Sequence, residues 1–244
     1  MNAAQIPEMK EQLLPLAEAL YAAHKANPTK NKFAAIDFTL IASELQSAKR
    51  PDEAIAVLEE GIKEIPENAQ FHKDLAAIYV DQNDLAKSAD SYHDYLEKTD
   101  EPGYNDFVQQ SIYAYYGGAQ NIKADPAKSA KYLDMSAEYA NKAAEMAPNQ
   151  YKPIKILGDI DVAKAANDEA RKSAGQAKYE KAVSLLEASA DPSKYTSDAK
   201  AMYTYLGNYY VEKNDIAKAK EYFNKYLALA PNDTAVRDYV SKLK

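Results

Sequence analysis

Residues 214–227 read NDIAKAKEYFNKYL and residues 83–96 read NDLAKSADSYHDYL, nearly the same fourteen-residue phrase twice in one chain. An enzyme assembles its site once from distant segments, whereas a stacked array reuses one supersecondary unit, so the duplication bears on fold class before any chemistry. Each copy opens on Asn-Asp, residues suited to cap a helix N-terminus, and continues with apolar residues three and four apart. Small residues extend the same register. Ala42 and Ala54, Ala76 and Ser88, Gly117 and Ser129, and Gly207 and Ala219 are four pairs, each twelve positions apart, where two helices can cross closely. Large residues hold fixed places around them: Ile41, Leu75, Tyr116 and Leu206 stand one before the first small residue, and Leu58, Tyr92, Leu133 and Phe223 four after the second. The constant interval predicts a helical hairpin, repeated, with these side chains filling its core.

Short breakers such as KRPDE (49–53), QND (82–84), DEPG (100–103), ADP (124–126), DPS (191–193) and KND (213–215) separate the periodic segments, and nothing between them alternates with period two. The pattern predicts about twelve helices and no sheet. Composition agrees: of 244 residues 46% are hydrophobic and 27% charged, and seven glycines are too few for the turns of a strand-rich fold. The net charge of −7 argues against polyanionic partners, because nucleic-acid binders carry a basic face with stacking aromatics, and the 20 Tyr and five Phe here stand at helical core spacing without a basic cluster beside them. The absence of cysteine excludes thiol nucleophiles, disulfides and thiolate metal sites. No apolar run approaches the roughly 20 residues of a membrane span.

The stretch AMYTYLGNYYVEKNDIAKAKEYFNKYLALAPND, residues 201–233, resembles the tetratricopeptide repeat, a helix-turn-helix unit of about 34 residues. Tyr203 takes the usual Trp place, and Leu206, Gly207, Tyr210, Ala219, Phe223 and Pro231 fall where that family has Leu, Gly, Tyr, Ala, Phe and Pro. Residues 35–68 resemble it through Phe38, Ile41, Ala42, Leu45, Ala54, Leu58 and Pro66, and residues 69–102 through Leu75, Ala76, Tyr79, Ser88 and Tyr92. Two further repeats, 104–149 and 150–193, are degenerate. In the last of these Gly158 finds its partner Ala182 only 24 positions on, and the extra residues AANDEARKSAGQAK (165–178) are expected to lengthen both helices of that hairpin into a projection. The resemblance implies an all-α fold: one domain over residues 1–244, a right-handed superhelical solenoid of antiparallel helix-turn-helix repeats. Capping helices close it at both ends, one within residues 1–34 and one at 234–244, where Val236, Tyr239, Val240 and Leu243 share a face. The first helix, 8–26, lacks a hairpin partner and MNAAQIPEMK has no signal-peptide core. The expectation is therefore a fragment, or a mature form without its leader and first half-repeat. For a Tyr-rich, Cys-free chain the resemblance implies an exported or periplasmic bacterial compartment, otherwise the cytoplasm.

Function follows from what the resemblance implies and from what the motifs lack. Gly117-Gly118 has no Lys-Ser/Thr after it and no strand before it, so it is no phosphate loop. His24, His72 and His93 are far apart, and Asp90, His93 and Asp94 read as a solvated face, so neither metal nor cofactor is expected. No catalytic constellation stands out. The resemblance implies a non-catalytic interaction scaffold that binds a partner peptide or helix in a concave groove lined by the first helix of each repeat. The groove positions are Thr39 and Ser43, then Lys73 and Asp81, then Asn121, then Lys152, Lys155 and Asp159, then Asn208 and Glu212. The family's carboxylate clamp is not expected, since Lys73, Ala77, Tyr115, Lys152 and Ile156 match it at only two of five places. Lys152 and Lys155, one turn apart, are instead candidates to neutralise an acidic group on a ligand. Two other readings stand beside this one: a docking module of a larger enzyme or cell-envelope assembly complex, and a small-ligand sensor.

Overall fold

The computed structural model describes residues 5–165 and 167–244 and contains, among them, thirteen α-helices, one 3-10 turn and no strand. The chain divides into two compact units, residues 1–102 and 103–244. The first holds α1 (Gln5–Ala26), α2 (Ala35–Ser47), α3 (Pro51–Glu64), α4 (Ala69–Asp81) and α5 (Leu85–Glu97). The second holds α6 (Tyr104–Ala119), α7 (Pro126–Met146), α8 (Tyr151–Lys164), α9 (Asp168–Ala174), α10 (Gln176–Glu187), α11 (Thr196–Glu212), α12 (Ile216–Leu229) and α13 (Thr234–Lys242), with the 3-10 turn at Pro192–Tyr195. No helix among the described residues is long and apolar enough to cross a membrane.

The repeated phrase is the turn and second helix of a hairpin. Asn83 and Asn214 adopt left-handed backbone at φ 58° and 57°, a conformation Asn tolerates better than most side chains. Their N–H groups donate to the Val80 and Val211 carbonyls, and the next N–H groups, of Asp84 and Asp215, reach back to Tyr79 and Tyr210, all at 2.9 Å. This pair of bonds satisfies the end of the first helix. Asp84 and Asp215 then cap the second, accepting from the Lys87 and Lys218 N–H groups. The α2–α3 hairpin turns the same way with Lys49 at φ 59° and Arg50 N–H donating to the Leu45 carbonyl at 2.9 Å.

Three hairpins bury the side chains that the spacing picks out. Ala42, Ala54, Ala76, Ser88, Ala219, Ile41, Leu75, Leu206, Leu58, Tyr92 and Phe223 are all buried. Gly207 packs so tightly that a Cβ there would stand 2.7 Å from the Phe223 ring. The α6–α7 hairpin departs from the expectation: Tyr116 is 51% exposed instead of filling the core. Its turn runs over residues 120–125 where the other three use three residues, and the close approach moves one position on. Gly118, not Gly117, is the residue whose Cβ would meet Leu133 at 2.8 Å and the Ser129 carbonyl at 3.0 Å, so the face through Ser111 and Ala114 turns inward and Tyr116 turns out.

Residues 165–178 also correct the expectation. Neither α8 nor α10 is lengthened. Asn167 caps a separate short helix, α9, by accepting from the Ala170 N–H at 2.8 Å, and Gly175 ends it, wedged against the Tyr179 ring and Val162. Tyr205 of α11 ties α9 down, its hydroxyl accepting from the Gly175 N–H at 3.0 Å and donating to the Arg171 carbonyl at 2.7 Å. Ala166 lies outside the described residues, as do residues 1–4 at the start of the chain.

Candidate functional site

The expected groove residues divide between the two units. In the first, Thr39 and Ser43 lie on α2 and Lys73 and Asp81 on α4. Asp81 accepts from Gln46 of α2 at 2.6 Å, and the Lys73 ammonium stands 4.6 Å from the centre of the Tyr95 ring of α5 and 3.3 Å from its hydroxyl. In the second unit, Asn121 serves the end of α6 by donating to the Gly117 carbonyl at 2.7 Å. Asn208 and Glu212 face α9 across a small recess, where Glu212 pairs with Lys172 at 3.3 Å.

Lys152, Lys155 and Asp159 come together, successive turns of α8 placing them on one face. The two ammonium groups do not stand ready for a ligand's acid. Lys152 Nζ donates to Asp198 of α11 at 2.7 Å, Lys155 Nζ donates to Asp159 at 2.7 Å, and Lys155 also lies 3.8 Å from Asp198. Two tyrosine hydroxyls complete the network at 2.7 Å each, Tyr151 donating to Asp198 and Tyr179 to Asp159. Burial pushes the Asp198 carboxyl up, but its hydrogen bonds from Lys152 and Tyr151 and the Lys155 charge outweigh burial and hold it below the usual carboxylate range. Burial, with the Asp159 charge nearby, pushes the Tyr115 phenol up to about 12.

Three members of this network, Tyr151, Lys152 and Asp198, line an open cavity of about 560 Å³. Tyr104 at the start of α6, Tyr151 at the start of α8 and Tyr195 just before α11 supply aromatic faces, with the Tyr151 and Tyr195 rings 4.9 Å apart. Asn105 and Gln150 add side-chain amides, and Lys152, Lys194 and Asp198 add charge. Sequence reasoning singled out only Lys152 among these. The available signal was position: Tyr104 and Tyr151 each open the first helix of a hairpin, directly after a breaker. A second recess of about 480 Å³, in the first unit, is walled mainly by Leu13, Leu16, Leu20, Phe33 and Leu40. It is mostly apolar, so it offers contact area with few directional bonds. Sequence reasoning also missed that folding gathers His24 with Glu60 and Glu64.

Two profiles described as tetratricopeptide repeat match the chain, one over residues 45–110 and the other over residues 201–233. No curated protein sequence matches it. Among solved structures, the C-terminal part of a repeat-containing protein of this kind from Cytophaga hutchinsonii superposes with a TM-score of 0.67 at 16% identity, covering 86% of this chain and 74% of its own. YrrB, described as a TPR protein with an unusual peptide-binding site, superposes at 0.54 with 17% identity over 91% of this chain and 98% of its own. MamA from Desulfovibrio magneticus superposes at 0.54 with 16% identity over 82% of this chain and 96% of its own. At these identities the likeness is one of fold.

Proposed function

The chain is a tetratricopeptide-repeat protein, and we propose that it acts as a non-catalytic scaffold that holds an extended segment of another protein, with the tyrosine-lined cavity of the second unit as the receiving site. The observation that carries the reading is the convergence of Tyr104, Tyr151 and Tyr195 on one cavity whose edge also offers the amides of Asn105 and Gln150. Tyrosine supplies large contact area at little entropic cost, and a side-chain amide presents the donor and acceptor that an extended backbone needs. Lys152 and Asp198 line the site and pair with each other, and Lys155 pairs with both Asp159 and Asp198, so the charges of this network balance and leave that part of the wall polar yet close to neutral. An acidic tail is therefore a poorer fit than a peptide with an apolar or aromatic anchor. The peptide-binding site described for YrrB, a protein of like fold, is consistent with this use.

A displayed library of random linear peptides tests the reading. Selected peptides are expected to bind the chain and to weaken about tenfold or more against Tyr195→Ala or Lys194→Glu, as anchor contacts do on truncation, provided that the helical circular dichroism of each variant is unchanged. Ser43→Ala, in the first unit, is expected to bind them like the parent. Peptides that bind all variants equally would remove the cavity as the site.

A further inference from the structure

Outside the tyrosine cavity, one cluster in the first unit joins residues far apart in sequence. His24, in the last turn of α1, is fully buried. Glu60 and Glu64 stand one turn apart on α3 and project toward it, and one ligand atom from each of the three residues lies within 4.8 Å of the others. The imidazole is fixed on every side. Phe33 stacks on it at 4.1 Å with an interplanar angle of 14°, and Phe38 meets it edge-on at 5.4 Å. Its Nδ1 lies 2.9 Å from the Asn31 carbonyl, which can only accept, so the Nδ1 proton is committed there. Nε2 is thereby left pointing at Glu64, whose carboxylate oxygen is 2.8 Å away. A neutral ring in this tautomer would set a lone pair against a carboxylate, which requires something positive between them or a second proton. Glu60 is oriented as well, because the Tyr21 hydroxyl donates to its Oε2 at 2.6 Å.

From this geometry we infer that His24, Glu60 and Glu64 form a binding site for a divalent transition-metal ion, of which zinc fits the donor set best. The imidazole nitrogen is a borderline donor that suits zinc, the two carboxylates are hard oxygen donors that zinc also accepts, and three protein ligands leave a fourth tetrahedral position for water. The surroundings match what a metal site needs beyond its ligands: a backbone carbonyl on the far ring nitrogen fixes the tautomer, and a phenol holds one carboxylate. Donors about 2.1 Å from a zinc ion are about 3.4 Å from one another in a tetrahedron. The three donor atoms here lie within 4.8 Å of one another, and Glu60 and Glu64, neither of them buried, can rotate about their side chains to reach that spacing. The ion would tie α1 to α3, adding to the Tyr21–Glu60 bond between those helices and to the ion pair of Glu18 with Arg50 at the start of α3.

The test uses the whole untagged chain freed of metal by a chelator. Cobalt(II) is expected to bind with one-to-one stoichiometry and to give the visible absorption of a four- or five-coordinate site, which zinc then bleaches. Zinc at about a hundredfold excess over its dissociation constant is expected to raise the melting midpoint by about 5–10 °C. Glu64→Gln and Glu60→Gln keep the helix and its exposed surface, and each is expected to weaken cobalt binding by tenfold or more. His24→Gln is expected to abolish binding, whereas His93→Gln leaves it unchanged. The inference fails if cobalt and zinc do not bind stoichiometrically up to millimolar concentration. In that case the imidazole and Glu64 form a plain ion pair. It fails equally if both glutamine variants bind as the parent does.

Discussion

The Asp198 carboxylate takes bonds from Lys152 and from the Tyr151 hydroxyl, and this sets how the second unit answers to acid. Its pKa in the folded chain lies below the usual carboxylate value near 3.8. As pH falls, the unfolded chain takes up a proton first, so the stability that Asp198 contributes is fully present above about pH 4 and is lost as pH drops through the folded value. Asp198→Asn is expected to lower stability at pH 7 by about 1–2 kcal/mol, the scale of hydrogen bonds to a charged group that is partly exposed. In urea unfolding followed at a series of pH values, the gap between parent and variant should close below pH 4; a gap that stays constant with pH would show that the cost comes from packing instead. The same chemistry recurs at other tyrosines. Tyr179 donates to Asp159, Tyr203 to Glu187, Tyr210 to Glu180 and Tyr226 to Asp233. In these places the ring packs and the phenol binds a carboxylate of another element or of the turn that follows, which explains why aromatic positions are filled with Tyr in preference to Phe.

At the level of the hairpin, one turn geometry is written three times with different letters. Asn83 and Asn214 suit their left-handed backbone, but Lys49 holds φ 59° with a long side chain that lacks the short amide of Asn. Lys49→Gly is expected to stabilise the chain by about 0.5–1 kcal/mol, part of the left-handed cost being returned as extra freedom of the unfolded chain. Asn83→Ala should cost a similar amount, and shifts in the midpoint of urea denaturation measure both. These turns also explain what could be read in advance. Where the turn has three residues, the twelve-residue interval between small residues fixes which side chains are buried, and Ala42, Ser88 and Gly207 follow it. The interval does not report turn length. At residues 120–125 a longer turn slides the contact from Gly117 to Gly118, and Tyr116 leaves the core. Residues 165–178 misled in another way: their Ala-rich composition favours helix, but Asn167 and Gly175 decide where helix starts and stops. The functional set was least legible. Groove positions transferred from a resemblance carry no information on partners, and only coordinates show that Asp198 and Asp159 already occupy Lys152 and Lys155.

Across the whole chain, the two compact units raise the question of how far damage at one place travels. In a repeat array each hairpin draws its stability from itself and from its immediate neighbours, so the cost of a cavity should be felt locally and fade within a repeat or two. Leu58 is fully buried in a cluster with Phe38, Ile41, Ala54 and Phe71, all of the first unit. Leu58→Ala is expected to cost about 2–5 kcal/mol there, the transfer loss being increased by a cavity that rigid aromatic neighbours cannot close. Native-state hydrogen exchange reads where that cost falls. Amides of α2, α3 and α4 should exchange faster by about 30-fold to a few thousand-fold, since each 1.4 kcal/mol is a tenfold change in the open population. Amides of α11 and α12, whose buried partners are Leu206, Ala219 and Phe223, should keep the parent's protection. Equal acceleration in both units would mean that the 244 residues unfold as one cooperative body, and that a ligand held by the second unit would also stabilise the first.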